Sequence, residues 1–442
     1  MRPELVLGVS IGVILAVSAL LARVGADAGW LAALGHVITV RGAVPSGVPF
    51  ATAPTGQWPN ALVLAELVFT GLEQTLGDRG LMLAQLVCVA GAMVVLARDA
   101  NRQGAPSIGI AAALLLAAAG ILPSLAIARV QMFSLVLFPL LAALLRTQAQ
   151  APSRRIWLAV PLLALWSNLH GAALLGAGML LVYLVLERGR RDPWTAIGVG
   201  LAGVLALCVT PAGIRTVDYY AGVLTNQAAE RGQGMWGPLS LTSPLDLVMA
   251  LVGVLLAYRA WRARPRLWEA VMAVVLIVLT VKADRDGVWL LFFLAVPAAR
   301  TLNPSRSLRM LAPLLAVGAA LLLAVSVVRG PLPAGAPSSL LTGAIAAAHG
   351  TPVLADGLID EQVALAGGQI WAGNPIDAFP RAVQADYLNW LAGTRSGDSA
   401  VAPSVRVVLV GRGTATQALM ARLPDFTLAR TDGSTVMYER TG

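Results

Sequence analysis

The chain has 442 residues, 57% hydrophobic and 12% charged, with a formal charge of +9 and a mean hydropathy of +0.75. That composition excludes an ordinary soluble globule and points to a polytopic membrane protein in contact with membrane lipids. It also argues against a nucleic-acid partner, because the basic residues sit in short loops between apolar runs, where membrane orientation accounts for them.

Residues 5–21 form the first apolar run, longer than a signal-peptide core and without a small-residue cleavage site after it. We read it as a first span with the N-terminus in the cytoplasm. Residues 25–60 follow as a first outer loop holding Asp27, Trp30, His36 and Arg41, and its Pro/Gly-rich part, 45–58, reads as structured loop and not helix. Residues 61–76 are apolar but carry Glu66 and Glu73, so they read as an interfacial helix on the outer leaflet.

Beyond this point the loops alternate. Arg146, Arg154 and Arg155 make one basic loop; Arg188, Arg190 and Arg191 a second; Arg259, Arg262, Arg264 and Arg266 a third; Arg300, Arg306 and Arg309 a fourth. The connections between them, at 123–129, 168–171, 210–244 and 282–287, carry few cations. The positive-inside rule puts the basic set in the cytoplasm and gives roughly eleven spans. The expected fold is an all-α multi-pass protein of the cytoplasmic membrane, with a membrane domain at 1–329 and an extracytoplasmic tail at 330–442. Cys88 and Cys208 both fall in apolar runs, which argues against a disulfide framework. Gly176, Gly178, Gly198 and Gly200 suit close helix packing.

The tail changes character. A Pro/Gly-rich linker at 329–339 leads into short apolar runs at 351–354 and 405–410, and Asp432-Gly433 separates two more, a hairpin signal. A small α/β domain is the economical reading. Gly411-x-Gly413 lacks the third glycine and distal acidic residue of a dinucleotide loop, so it reads as an ordinary strand-to-helix turn. No cofactor is implied, and no metal-ligand spacing stands out.

The chemistry concentrates at the outer connections. Trp166-Ser167-Asn168-Leu169-His170-Gly171 stands between two apolar runs in a chain with three histidines. Either its Asn and His satisfy loose backbone groups at a helix corner, or they belong to a polar cluster where an anion docks. Arg129 opens the next span, and Lys282, Asp284, Arg285 and Asp286 crowd one short connection. Snorkelling explains Arg129 or Lys282 singly; it explains the crowded connection less well.

Several motifs recur in an order that resembles a known family. They are Asp27-x-x-Trp30…Gly35, the loop Gly42-x-x-Pro45-x-x-x-Pro49-Phe50…Gly56-x-Trp58, Arg129-x-Gln131-x-Phe133-Ser134, the Trp166–Gly171 stretch, and Arg285 ahead of Pro297. The pattern resembles bacterial GT-C-fold glycosyltransferases and their uncharacterised relatives, membrane enzymes that use polyprenyl-phosphate sugars. It covers roughly residues 5–330, with a weaker match at Trp371-Ala372-Gly373-Asn374-Pro375-Ile376-Asp377. The resemblance implies an outward-facing active site with Asp27 as general base, and Arg129, His170 and Arg285 as contacts to phosphate or sugar. Asn168, Lys282 and Asp284 complete the candidate substrate-binding set. The implied partner is a lipid-linked sugar, and the acceptor an envelope component. Val48 and Ala51 stand where related loops carry Asp and Ser, and Leu62 lies near the place of a Glu. Two other classes stay open: a non-catalytic relative that binds a lipid-linked glycan or scaffolds envelope-assembly proteins, and a transporter.

Overall fold

The computed structural model describes residues 3–56, 58–302 and 308–441; Gln57 of the first outer loop and Arg306 of the fourth basic loop lie outside the described residues. Two compact units emerge. One comprises Met1–Arg23, Asp78–Val209 and Gly234–Leu332, the other Val24–Gly77, Thr210–Gln233 and Pro333–Gly442. The second unit therefore draws on three stretches of chain, of which the composition change at 330 marks one.

The first unit is almost wholly helical. Among its described helices, Asp78–Arg102, Met132–Gln150 and Pro244–Arg262 are long and apolar enough to cross a membrane. Aliphatic side chains such as Leu251, Val254, Val274 and Val278 point outward, a surface that suits lipid and not water. At the centre stands Gly287–Ala299, buried at every residue, as a helix apolar all round must be. Its N-terminus fits because Gly287 has no Cβ, which would otherwise fall 2.1 Å from Met249 Sδ. Pro244–Arg262, Leu267–Lys282, Ser107–Gly120 and Asp78–Arg102 surround it.

One buried ionic group ties this bundle together. Arg146 donates from Nη1 to Asp99 Oδ2 at 2.8 Å, from Nε to Glu269 Oε1 at 2.9 Å and from Nη2 to the Phe293 carbonyl at 2.9 Å. Four helices thus meet on one guanidinium, whose five N–H groups in a rigid fork suit such a junction. Arg146, placed in a basic loop by the sequence pattern, is 3% exposed and belongs to the core.

The second unit holds a four-stranded sheet in the order Val353–Ala355, Val407–Gly411, Thr435–Arg440, Phe426–Asp432. The first pair is parallel, with Val353 opposite Val407, and the others are antiparallel, with Leu409 opposite Met437 and Thr431 opposite Val436. Gly433-Ser434 makes the hairpin turn, closed by the Asp432–Thr435 pair and with Gly433 at φ 58°, one residue on from the expected Asp432-Gly433. The strands expected at 351–354 and 405–410 are present within about two residues. Beside Val353, the segment at Ile370 adds a further bridge, and Ala51 of the Pro/Gly-rich loop bridges to Ile370 in turn. The loop is accordingly built into the sheet edge: Val48, Phe50 and Ala53 are buried there, which accounts for apolar residues at 48 and 51.

The first outer loop also contains a helix the punctuation did not suggest, Ala28–Arg41, which buries Leu31, Leu34 and Ile38. It packs on Val63–Leu76 so closely that a Cβ on Gly35 would fall 2.2 Å from the Glu66 carbonyl. Helices Thr216–Thr225 and Gln227–Arg231 lie in the cation-poor connection at 210–244. They dock on Arg381–Leu391 through Arg381 to Glu230 and through the Gln227 N–H to Gln384 Oε1 at 2.9 Å.

Candidate functional site

Two groups of chemistry-bearing side chains stand out, one in each unit. The sheet-bearing unit holds Asp27, at the N-terminus of Ala28–Arg41. Its backbone takes φ 80° and ψ −20°, the left-handed region, which costs a non-glycine residue about 1 kcal/mol or more. An aspartate in this place normally caps its own helix, yet the Asp27 side chain makes no capping bond. A carboxylate from far along the chain does so instead. Glu361 accepts the Asp27 N–H on Oε1 at 2.8 Å and the Gly29 N–H on Oε2 at 3.0 Å. The Asp27 carboxylate, half-buried, accepts the Trp30 indole N–H at 3.4 Å on Oδ1.

Around it sits a second layer. Trp30 meets Trp58 edge-on, ring centroids 6.1 Å apart, and the Trp58 indole N–H donates to Asp377 Oδ2 at 2.8 Å. Burial pushes Asp377 up to about 6, with the negative charge of Asp27 adding to the effect and the Trp58 bond opposing it. Glu361 is pushed up to about 8, chiefly by burial and next by Asp27, against the N–H groups of Asp27, Gly29 and Asn374. Asp360 beside it is raised well above the usual carboxylate range by burial and by Glu361. A half-buried carboxylate ringed by such shifted groups is a common mark of acid–base chemistry.

The helical unit holds the cations. Arg129 directs Nε and Nη2 to Gln131 Oε1 and Nη1 to Met235 Sδ at 2.7 Å. The Arg285 guanidinium lies over the Trp236 ring, 3.5 Å from its centroid, a stacking arginine favours over lysine. His170, in the connection between Ala159–Ser167 and Ala173–Tyr183, has Nδ1 2.7 Å from Ser134 Oγ. Burial, reinforced by the charges of Arg285 and Arg129, pushes His170 down to about 3. Arg129 and Arg285 also act on Asp284, whose carboxyl is nevertheless raised by burial and by Asp246. Two arginines and a neutral imidazole thus share one locality suited to a phosphate.

Of the residues expected to bind substrate, Arg129, His170, Asp284 and Arg285 come together in the helical unit. Lys282 ends the helix Leu267–Lys282 as an exposed side chain. Asn168 donates to the carbonyls of Ala164 and Val209, so its amide serves the helix corner. The two readings of the Trp166–Gly171 stretch therefore divide between its residues: backbone repair for Asn168, membership of the cation group for His170. Glu361, Asn374, Asp377, Trp58 and Ser134 gain their places in these groups only through the fold. Asn374 and Asp377 lie in the weaker motif at 371–377, and Ser134 in the Arg129 motif. Glu361 belongs to no motif; an acidic pair, Asp360-Glu361, within a helix as apolar as Gly357–Leu365 is its one signal. Among the described residues, no group of three or more His, Cys, Asp or Glu side chains comes together to hold a metal ion.

No family model matches the sequence, and no curated protein matches it. Solved structures do. Over 98% of its length the chain aligns with 97% of ArnT from Cupriavidus metallidurans bound to undecaprenyl phosphate, at a TM-score of 0.54 and 14% identity. The apo form of that protein aligns at 0.51 and 15% identity, covering 96% of this chain and 95% of that one. The arabinofuranosyltransferase AftD from Mycobacteria aligns at 0.55 and 15% identity, over 98% of this chain and 41% of its own. At these identities the likeness is one of fold. The chain has the polytopic membrane fold of the GT-C glycosyltransferases.

Proposed function

Proceeding from the GT-C fold, we propose that the protein is a membrane glycosyltransferase that moves a sugar from a polyprenyl-phosphate donor to an envelope acceptor. In this reading it lies in a bacterial cytoplasmic membrane with roughly eleven spans, its N-terminus inside and its sheet-bearing unit outside. Asp27 takes the proton of the acceptor hydroxyl as that oxygen attacks the anomeric carbon. The bond from that carbon to the phosphate oxygen breaks, and the lipid phosphate leaves with the electron pair. In the helical unit, Arg129, Arg285 and the neutral imidazole of His170 form the group suited to binding a lipid phosphate.

The observation that carries the reading is the Asp27 carboxylate, set at a helix start but relieved of the capping role by Glu361. The undecaprenyl phosphate bound by ArnT supports the donor class. The test is transfer of radiolabelled sugar from a panel of undecaprenyl-phosphate sugars into envelope extract. Asp27→Asn should lower turnover by about 10²–10⁴-fold with binding of undecaprenyl phosphate retained. A buried Val48 and a bridged Ala51, where related loops are polar, favour a second reading, a non-catalytic binder of the same lipid. Binding by the wild type without transfer from any donor of the panel would select it.

A further inference from the structure

Nothing in the proposed chemistry touches Glu361, yet it holds the turn that carries Asp27. It sits in the helix Gly357–Leu365, 1% exposed, and reaches Asp27 across 334 positions of sequence. Both of its oxygens are engaged. Oε1 accepts the N–H of Asp27 at 2.8 Å and Nδ2 of Asn374 at 2.7 Å, and Oε2 accepts the N–H of Gly29 at 3.0 Å. Asn374 is oriented in turn, its own N–H donating to Asp360 Oδ2 at 3.0 Å, and the Tyr387 hydroxyl lies 3.2 Å from that same oxygen.

Two glycines make this approach possible. A Cβ on Gly29 would fall 2.8 Å from Glu361 Cβ, and one on Gly373 would fall 1.7 Å from Asp360 Oδ2. Side chains at either place would drive the acidic helix away. The outcome is specific. A helix start needs an acceptor for its first N–H groups, and an aspartate at the boundary would ordinarily supply one from its own side chain. Here the φ of 80° at Asp27 turns its side chain out of that role, and Glu361 takes it over at the first turn.

We infer that Glu361 is a positioning residue for Asp27. By holding the N–H groups of residues 27 and 29 on one carboxylate it fixes the left-handed turn and leaves the Asp27 side chain for the acceptor hydroxyl. The C-terminal segment is then part of the catalytic apparatus and not an appended module. The inference rests on Asp27 being the base.

The experiment compares Glu361→Gln, Asn374→Ala and Asp27→Asn in the full-length protein, measuring sugar transfer and stoichiometric binding of undecaprenyl phosphate. A glutamine places an N–H against one of the two backbone N–H groups, so the clamp opens. The kcat of Glu361→Gln should fall about ten- to a hundredfold as a backbone N–H loses its acceptor, with donor KM and binding stoichiometry unchanged. Asn374→Ala keeps the carboxylate but frees it, and should give a smaller fall of the same kind. If Asp27→Asn is inactive while folded Glu361→Gln turns over like the wild type, the positioning role is overturned and the base stands. If Asp27→Asn stays active, the base reading falls and this inference with it. Where Glu361→Gln does not fold, Asn374→Ala decides: a wild-type kcat overturns the inference, and a fall at constant donor KM upholds it.

Discussion

Ser134 Oγ lies 2.7 Å from His170 Nδ1 and also accepts the Trp166 indole N–H at 2.6 Å, so one hydroxyl ties the imidazole to the tryptophan of its own corner. The hydroxyl, with one proton and two lone pairs, can serve either tautomer of the ring at Nδ1. Burial and two arginine charges keep the ring neutral down to about pH 3. His170 thus brings a neutral imidazole to the cation group without a third charge to desolvate.

This gives a pH prediction. A group whose protonated form is disfavoured to about 3 gains no charge between pH 8 and 5, whereas an ordinary imidazole would gain one near 6.5. Undecaprenyl phosphate affinity should therefore run parallel with pH in the wild type and in His170→Gln across that window, with the variant weaker throughout. Divergence below pH 6.5, the wild type tightening faster, would mean a charged His170. Ser134→Ala should reproduce much of the His170→Gln loss, because it removes the contact that holds the ring in place.

Asp377 predicts the opposite kind of behaviour, in stability. Its carboxyl ionises at about 6 in the folded protein against 3.8 for an unperturbed aspartate, so the folded form holds the proton more tightly. Stability from this group is fully present below about pH 4 and is lost as the pH rises through 6. Asp377→Asn, which keeps an acceptor for the Trp58 indole, should flatten the fall in melting temperature between pH 4 and 7 in detergent. An unchanged slope would assign the pH dependence to other groups.

These relationships separate what is local in the sequence from what only the fold supplies. The strands and their hairpin follow from short apolar runs and Asp432-Gly433, both local signals. Asp27, Arg129, His170 and Arg285 stand out because ionisable groups are costly beside apolar runs. Glu361 does not, since its partners are 334 and 332 positions away and only the fold brings them near. The helix Ala28–Arg41 is hidden by Gly29 and Gly35, which serve close packing and lower helix propensity. Arg146 is misplaced for a related reason: charge counting cannot tell a cytoplasmic arginine from one neutralised in the core by Asp99 and Glu269.

The Arg285 guanidinium over Trp236 yields the last prediction. Stacking at 3.5 Å holds the plane of the group in place on one face. Asp284 and Asp286 flank it in sequence, and Arg285 favours the charged form of each, while burial raises both carboxyls above their usual range. A phosphate, with more charge and more acceptor oxygens than a carboxylate, competes well for the same fork. Arg285→Ala should therefore weaken binding of a short-chain polyprenyl phosphate by about ten- to a hundredfold, the loss of a charged hydrogen-bond partner. Arg285→Lys keeps the charge but loses the planar fork, and should fall between the two. Equilibrium binding in detergent at fixed ionic strength reads all three. If the lysine variant binds as the wild type does, the site needs only a positive charge; if the alanine variant does, Arg285 takes no part in holding the phosphate.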